Sequence, residues 1–156
     1  MTARARNTED VSDPEIAKLL ADARRREGTS QAFELYRKAI ALADERQPQS
    51  GIDLRLELEA KLRGPLKYAE AAAVCAEALS AAEKVYGKDD ARVGRVAYAF
   101  AYCLHEGFGF HKDDPKRVEA LYERAIALTT DAHLRERAEQ MLVAWREAEA
   151  RRKARK

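Results

Sequence analysis

The chain is predicted to be all-α, with about three helix hairpins stacked side by side and a capping helix at the C-terminus. Three observations lead there. The first is composition: of 156 residues, 36% are charged and 46% hydrophobic, and the apolar ones are dominated by Ala and Leu, which favour helices over strands. The second is a repeated spacing of buried-type residues: Ala32, Tyr36, Ala39 and Ile40, then Ala71, Cys75, Ala78 and Leu79, then Val118, Tyr122, Ala125 and Ile126. Recurrence at a helix-pair period marks a solenoid, in which each pair buries its apolar face only by stacking on the next. The third is the regular return of helix start and stop residues between these segments.

Met1 to Ser12 has no helical periodicity and is expected to be a disordered lead. Asp13-Pro14 then supplies an N-cap followed by a proline at the first helical position, where its missing N–H costs nothing. Ile16, Leu19, Leu20 and Ala23 make the apolar stripe of the first helix, which Gly28 ends. Thr29 or Ser30 caps the second, with Phe33, Leu35, Tyr36, Ala39, Ile40 and Ala43 on its buried side, completing a hairpin over about 14–46. The segment QPQSG, residues 47–51, reads as a break, because Pro48 and Gly51 both oppose helix continuation.

Leu54, Leu58 and Leu62 recur every four residues. Leu54, Leu56 and Leu58 also alternate as in a strand, but the intervening Arg55 and Glu57 are good helix formers, so helix is the expectation. Pro65 is predicted to begin the long helix that Gly87 ends, giving a second hairpin over about 52–86. Asp89 or Asp90 caps a fifth helix carrying Val93, Ala97, Phe100, Ala101 and Leu104, stopped by Gly107 and Gly109. Asp114-Pro115 restarts the chain, and the third hairpin spans about 90–129. Thr130 or Asp131 caps a seventh helix, 131–150, whose Leu134, Ala138, Met141, Leu142 and Trp145 suit a cover for the open end of the stack. The repeat domain is thus 13–150, and residues 151–156 are expected to fray as a basic tail.

The formal charge of +2 is unevenly placed. Residues 146–156 hold six basic and two acidic side chains and Arg4 and Arg6 add two positive charges, so the body is about −4. The two cysteines, Cys75 and Cys103, fall on helical stripes and read as core residues of a reducing compartment. The polar N-terminus offers no signal peptide and no apolar run approaches membrane-spanning length, so a soluble cytoplasmic protein is expected.

The segment YAEAAAVCAEALSAAEKVYGKDD resembles the second helix and following turn of a tetratricopeptide repeat of the kinesin-light-chain-like kind, and ELYRKAIAL and ALYERAIAL resemble the same helix of other repeats. The resemblance covers roughly residues 14–130. EGFGFHKDDPK, between the fifth and sixth helices, is longer than the usual turn and is more similar to the glycine-containing loop of the related Sel1-type repeats. No copy has the tryptophan that often opens such repeats. The resemblance implies a right-handed α-α superhelix whose first helices line a concave face that holds a peptide or helix of a partner. Matching Ala101 to the family's small residue places Arg95, Tyr98, Tyr102 and His105 on that face, with Arg63 and Arg24 from the preceding pairs. Tyrosines flanked by arginines suit an acidic or C-terminal segment. The family's carboxylate clamp of Asn and Lys is absent, and the competing reading has Tyr98 and Tyr102 simply packing between repeats.

Catalytic motifs are lacking: there is no phosphate-cradling glycine loop and no Ser/His/Asp arrangement in a strand-turn-helix setting, so no enzyme activity and no cofactor are expected. The nearest metal-like constellation is Cys103, His105, Glu106 and His111. On a helix Cys103 and His105 point apart, so the expectation is no metal there and a core cysteine beside solvent-facing histidines. Phe108 and Phe110 in GFGF are either an exposed loop contact or, as favoured, a plug folded back onto the hairpin. The tail RREAEARRKARK offers an alternative function, binding nucleic acid or another anionic surface. Against it, the body is acidic and no aromatic residue interleaves with the basic ones. Self-association is a further option for so short a stack.

Overall fold

The computed structural model describes residues 11–63, 67–108 and 114–156. They form seven helices: α1 (Pro14–Arg25), α2 (Ser30–Arg46), α3 (Pro48–Arg63), α4 (Tyr68–Tyr86), α5 (Ala91–Glu106), α6 (Pro115–Leu128) and α7 (Ala132–Ala154). The all-α reading holds, including the ambiguous leucine run 54–58, which is helical.

Start signals act where the sequence puts them. The side chains of Asp13, Thr29, Asp90, Asp114 and Asp131 each accept one or two backbone N–H groups of the helix that follows, satisfying donors left over in a first turn. Gly87, just after α4, has φ 92° and ψ 153°, a conformation that side chains with a Cβ rarely adopt.

Several boundaries differ from expectation. Pro48 does not break the chain but opens α3, because a proline is tolerated in a first turn. Gln47 alone separates α2 from α3, so the second hairpin begins at 48 rather than 52. Gly51 lies inside that helix, buried; a Cβ there would fall 2.4 Å from Asp44 Oδ1, so the glycine leaves room for the Asp44 carboxylate that Arg55 holds. At the C-terminus, α7 runs on through Ala154 instead of fraying after Ala150. The long helix α4 also starts later than expected, at Tyr68 after a non-helical Lys67 rather than at Pro65; Pro65 itself, Gly109 and most of the N-terminal lead lie outside the described residues.

Consecutive helices pack on one another throughout. In addition the backbone of α5 comes close to those of α3 and α7, whereas among the described residues the backbones of α2, α4 and α6 stay apart and are linked by long side chains, Arg37 to Glu77 and Arg124 to Glu83. A stack in which one rank closes up and the other spreads must curve, with the odd-numbered helices on the inner side. Alanine makes the close approach possible: Ala23, Ala39, Ala43, Ala71, Ala78, Ala82, Ala97, Ala101, Ala125 and Ala138 are fully buried. They let backbones nest while Tyr36, Val74, Phe100, Tyr122 and Trp145 fill the space between. All three repeated sets from the sequence lie in or against this core.

Candidate functional site

The inner side of α5 carries Arg95, Tyr98, Tyr102 and His105, spaced so that they follow one side of the helix while Val96, Ala97, Phe100, Ala101 and Leu104 bury the other. Tyr98 and Tyr102 are half-buried and lie beside each other with ring centroids 6.4 Å apart. Arg63, from the end of α3, sets its guanidinium 5.1 Å from the Tyr102 ring centroid, a cation–π geometry. Its Nε also lies 2.6 Å from a carboxylate oxygen of Glu59. That N–H lacks an aligned acceptor among the described residues, so the contact with Glu59 is an ion pair more than a hydrogen bond. Arg95 is exposed and makes no ion pair among the described residues. Four of the six predicted groove residues, Arg63, Arg95, Tyr98 and Tyr102, thus share one stretch of the inner side.

His105 belongs to a different environment from the one expected. Instead of facing solvent it is half-buried, with Nδ1 2.9 Å from the Tyr122 hydroxyl and its ring edge-on to Trp145 at 5.0 Å. Burial holds its pKa below the ordinary histidine value; Glu106 opposes the shift and Arg152 adds to it. Phe108 folds back edge-on to Trp145 at 5.1 Å, as the plugging reading predicts, and Arg152 lies 4.2 Å over its ring and 4.8 Å over the Trp145 ring. Phe110 and His111 lie outside the described residues. Tyr98 leans on the same cluster, 6.2 Å from Tyr122. The sequence reading missed Arg152, whose usable signal is its position two helical turns beyond Trp145 on the same side of α7.

Arg24 is held elsewhere. Its Nε and a terminal nitrogen donate to both oxygens of Glu57 at 3.0 Å each, and the Tyr36 hydroxyl donates to the same carboxylate at 2.9 Å. This network joins α1, α2 and α3, so Arg24 has a structural partner that the sequence did not reveal. Next to it a cavity of about 400 Å³ is lined by Ala23, Gly28, Ala32, Phe33 and Tyr36, with Glu27 and Lys61 also in its wall.

Cys103 also finds partners other than those weighed in the sequence. It points away from His105 and Glu106 into the core, where its Sγ lies 3.1 Å from Glu59 Oε1. Glu59 is 3% exposed, and the Cys75 and Cys103 side chains are fully buried beside it. Burial raises the Glu59 pKa, and Arg63, the Cys103 hydrogen bond and Arg95 oppose that rise. The Cys75 thiol is held in its protonated form, first by its hydrogen bond with Cys103 and then by burial. This cluster is invisible to local pattern reading, since its members sit on three different helices.

On α7, Arg146 is paired with Glu119 and Glu123 of α6 and Arg152 with Glu149. Arg151, Lys153, Arg155 and Lys156 are exposed. No helix among the described residues is long and apolar enough to cross a membrane.

No protein-family model matches the chain, and no curated protein matches it in sequence. Among solved structures, the crystal structure of BtubC (BKLC) from P. vanneervenii is similar, with a TM-score of 0.68 and 19% identity, covering 86% of this chain and 56% of that chain. The chain therefore spans little more than half the length of that neighbour. The likeness shows the fold: the seven helices are tetratricopeptide-like stacked hairpins, as the repeated alanine spacing implied.

Proposed function

We propose that the chain is a non-catalytic interaction module that holds an acidic segment of a partner protein against the inner side of α5. The observation that carries this reading is the pairing of an exposed Arg95, which makes no ion pair among the described residues, with the Tyr98–Tyr102 platform and the Arg63 guanidinium above it. Tyrosine supplies rigid contact area and arginine takes carboxylates bidentately, so an aspartate- or glutamate-rich peptide, or a free C-terminal carboxylate, meets complementary chemistry there. The curved rank of odd-numbered helices gives such a segment an inner surface to lie on.

Acidic peptides selected from a displayed library against the folded chain test this by calorimetric titration. Tyr102→Ala and Arg95→Gln are each expected to weaken binding about 10-fold, the loss of one contact of ~1.4 kcal/mol, with the helical circular dichroism unchanged. Binding that both variants retain at full strength rules the α5 surface out.

The exposed basic end of α7 supports a second reading, attachment to nucleic acid or another anionic surface. Replacing the exposed Arg151, Lys153, Arg155 and Lys156 with glutamine, which keeps Arg152 over Trp145, separates the two. It abolishes salt-sensitive binding to duplex DNA under the second reading and leaves the peptide affinity unchanged under the first.

A further inference from the structure

Glu59, Cys75 and Cys103 come from α3, α4 and α5, yet one ligand atom of each lies within 4.8 Å of the other two. All three are buried. A carboxylate is an expensive group to place in an alanine-lined core, and here it is met by both of the chain's cysteines. From this convergence we propose that the cluster is a binding site for a thiophilic divalent ion, zinc or its analogue cadmium, held by two thiolates and one carboxylate.

The chemistry is consistent with that ion class. Bonds of about 2.3 Å to sulfur and about 2.0–2.2 Å to oxygen set ligand atoms roughly 3.4–3.8 Å apart around a tetrahedral ion, an adjustment that side-chain rotation supplies, the Cys103–Glu59 pair opening slightly from 3.1 Å and wider pairs closing from within 4.8 Å. Thiolates select zinc and cadmium over magnesium or calcium, which prefer all-oxygen shells. Each thiol gives up its proton to solvent as its S–H bond is replaced by a sulfur–metal bond, so one ion releases two protons. Two thiolates, a carboxylate and a divalent ion leave one net negative charge, which Arg63 at 2.6 Å from Glu59 offsets. A bound ion ties α3, α4 and α5 together across the boundary between the second and third hairpins. The competing account is a purely structural network in which the Cys103 S–H and Arg63 satisfy Glu59.

The test uses the full chain, reduced and stripped with chelator, titrated with cadmium chloride and separately with zinc chloride. The proposal expects a saturable cadmium–thiolate charge-transfer absorption at one ion per chain, displaced by zinc, with two protons released per ion in weak buffer. Cys75→Ala and Cys103→Ala should each abolish the saturable band, and Glu59→Gln should weaken the affinity about 10-fold or more. No saturable band in the native chain overturns the proposal, as does a band that survives in both cysteine variants. Should either alanine variant lose its helical signal, the native chain's proton count decides alone, and fewer than two protons per ion sinks the site.

Discussion

Trp145 gives the sharpest quantitative prediction. It is the chain's one tryptophan, it is fully buried, and it receives His105 and Phe108 edge-on and Arg152 against its face. Its indole N–H has no acceptor among the described residues. Truncation to alanine removes the ring that seals the last hairpin against α7, and large-to-small changes of a buried aromatic cost about 3–5 kcal/mol. Phenylalanine is a different case. It loses roughly 50 Å² of buried apolar area, about 1.3 kcal/mol at 25 cal/mol/Å², but it also removes a buried donor whose lack of a partner costs about 1–3 kcal/mol. Trp145→Phe is therefore expected within about 2 kcal/mol of the native chain and no more than slightly less stable, and Trp145→Ala several kcal/mol below it. Urea unfolding followed by the helical circular dichroism signal measures both, since the fluorescent reporter itself is removed. For a chain of this size the alanine variant should melt roughly 6–20 °C lower. A phenylalanine variant as unstable as the alanine one would falsify the orphaned N–H argument, and an alanine cost under about 1 kcal/mol would show that α7 does not seal the stack.

Two further outcomes follow from local structure. Gly87→Ala places a Cβ at φ 92° and ψ 153°, a region almost confined to glycine, and should cost about 1–3 kcal/mol in urea unfolding; an unchanged midpoint would mean the α4–α5 turn relaxes freely. Asp90, which caps α5 and pairs with Arg92, has its pKa lowered from 3.8 to about 2, first by the Arg92 side chain and then by the Arg92 backbone N–H. Since the folded-state value is depressed, the stabilisation is complete above the ordinary aspartate value and is lost as pH falls from about 4 towards 2. Asp90→Asn keeps the capping acceptor without the charge, so its melting temperature should depend less on pH than the native chain's across that interval; parallel curves would refute the assignment.

The sequence by itself determined the elements of this protein and the way they stack. Helix starts at Asp13, Thr29, Asp90, Asp114 and Asp131 are decided by side chains reaching backbone groups two or three residues away, and alanines at helical spacing specify close nesting of neighbours. Such signals are local or periodic, so they are legible in one dimension. They also brought out four residues of the candidate binding surface, because Arg95, Tyr98 and Tyr102 share one helix and Arg63 enters through the repeat resemblance. Pro48 and Gly51 misled for the converse reason: each residue type opposes a helix interior, and only the placement of Pro48 in a first turn and of the Asp44 carboxylate over Gly51 shows why both fit in α3.

Tertiary structure alone decided which polar groups are already occupied. Arg24 reaches Glu57 across 33 positions and Cys103 reaches Glu59 across 44, while His105 is enclosed by Tyr122 and Trp145 from two later helices. A buried charge or thiol takes its properties from whatever lies within a few ångströms in space, and the stacking of repeats brings together residues that sequence spacing keeps apart.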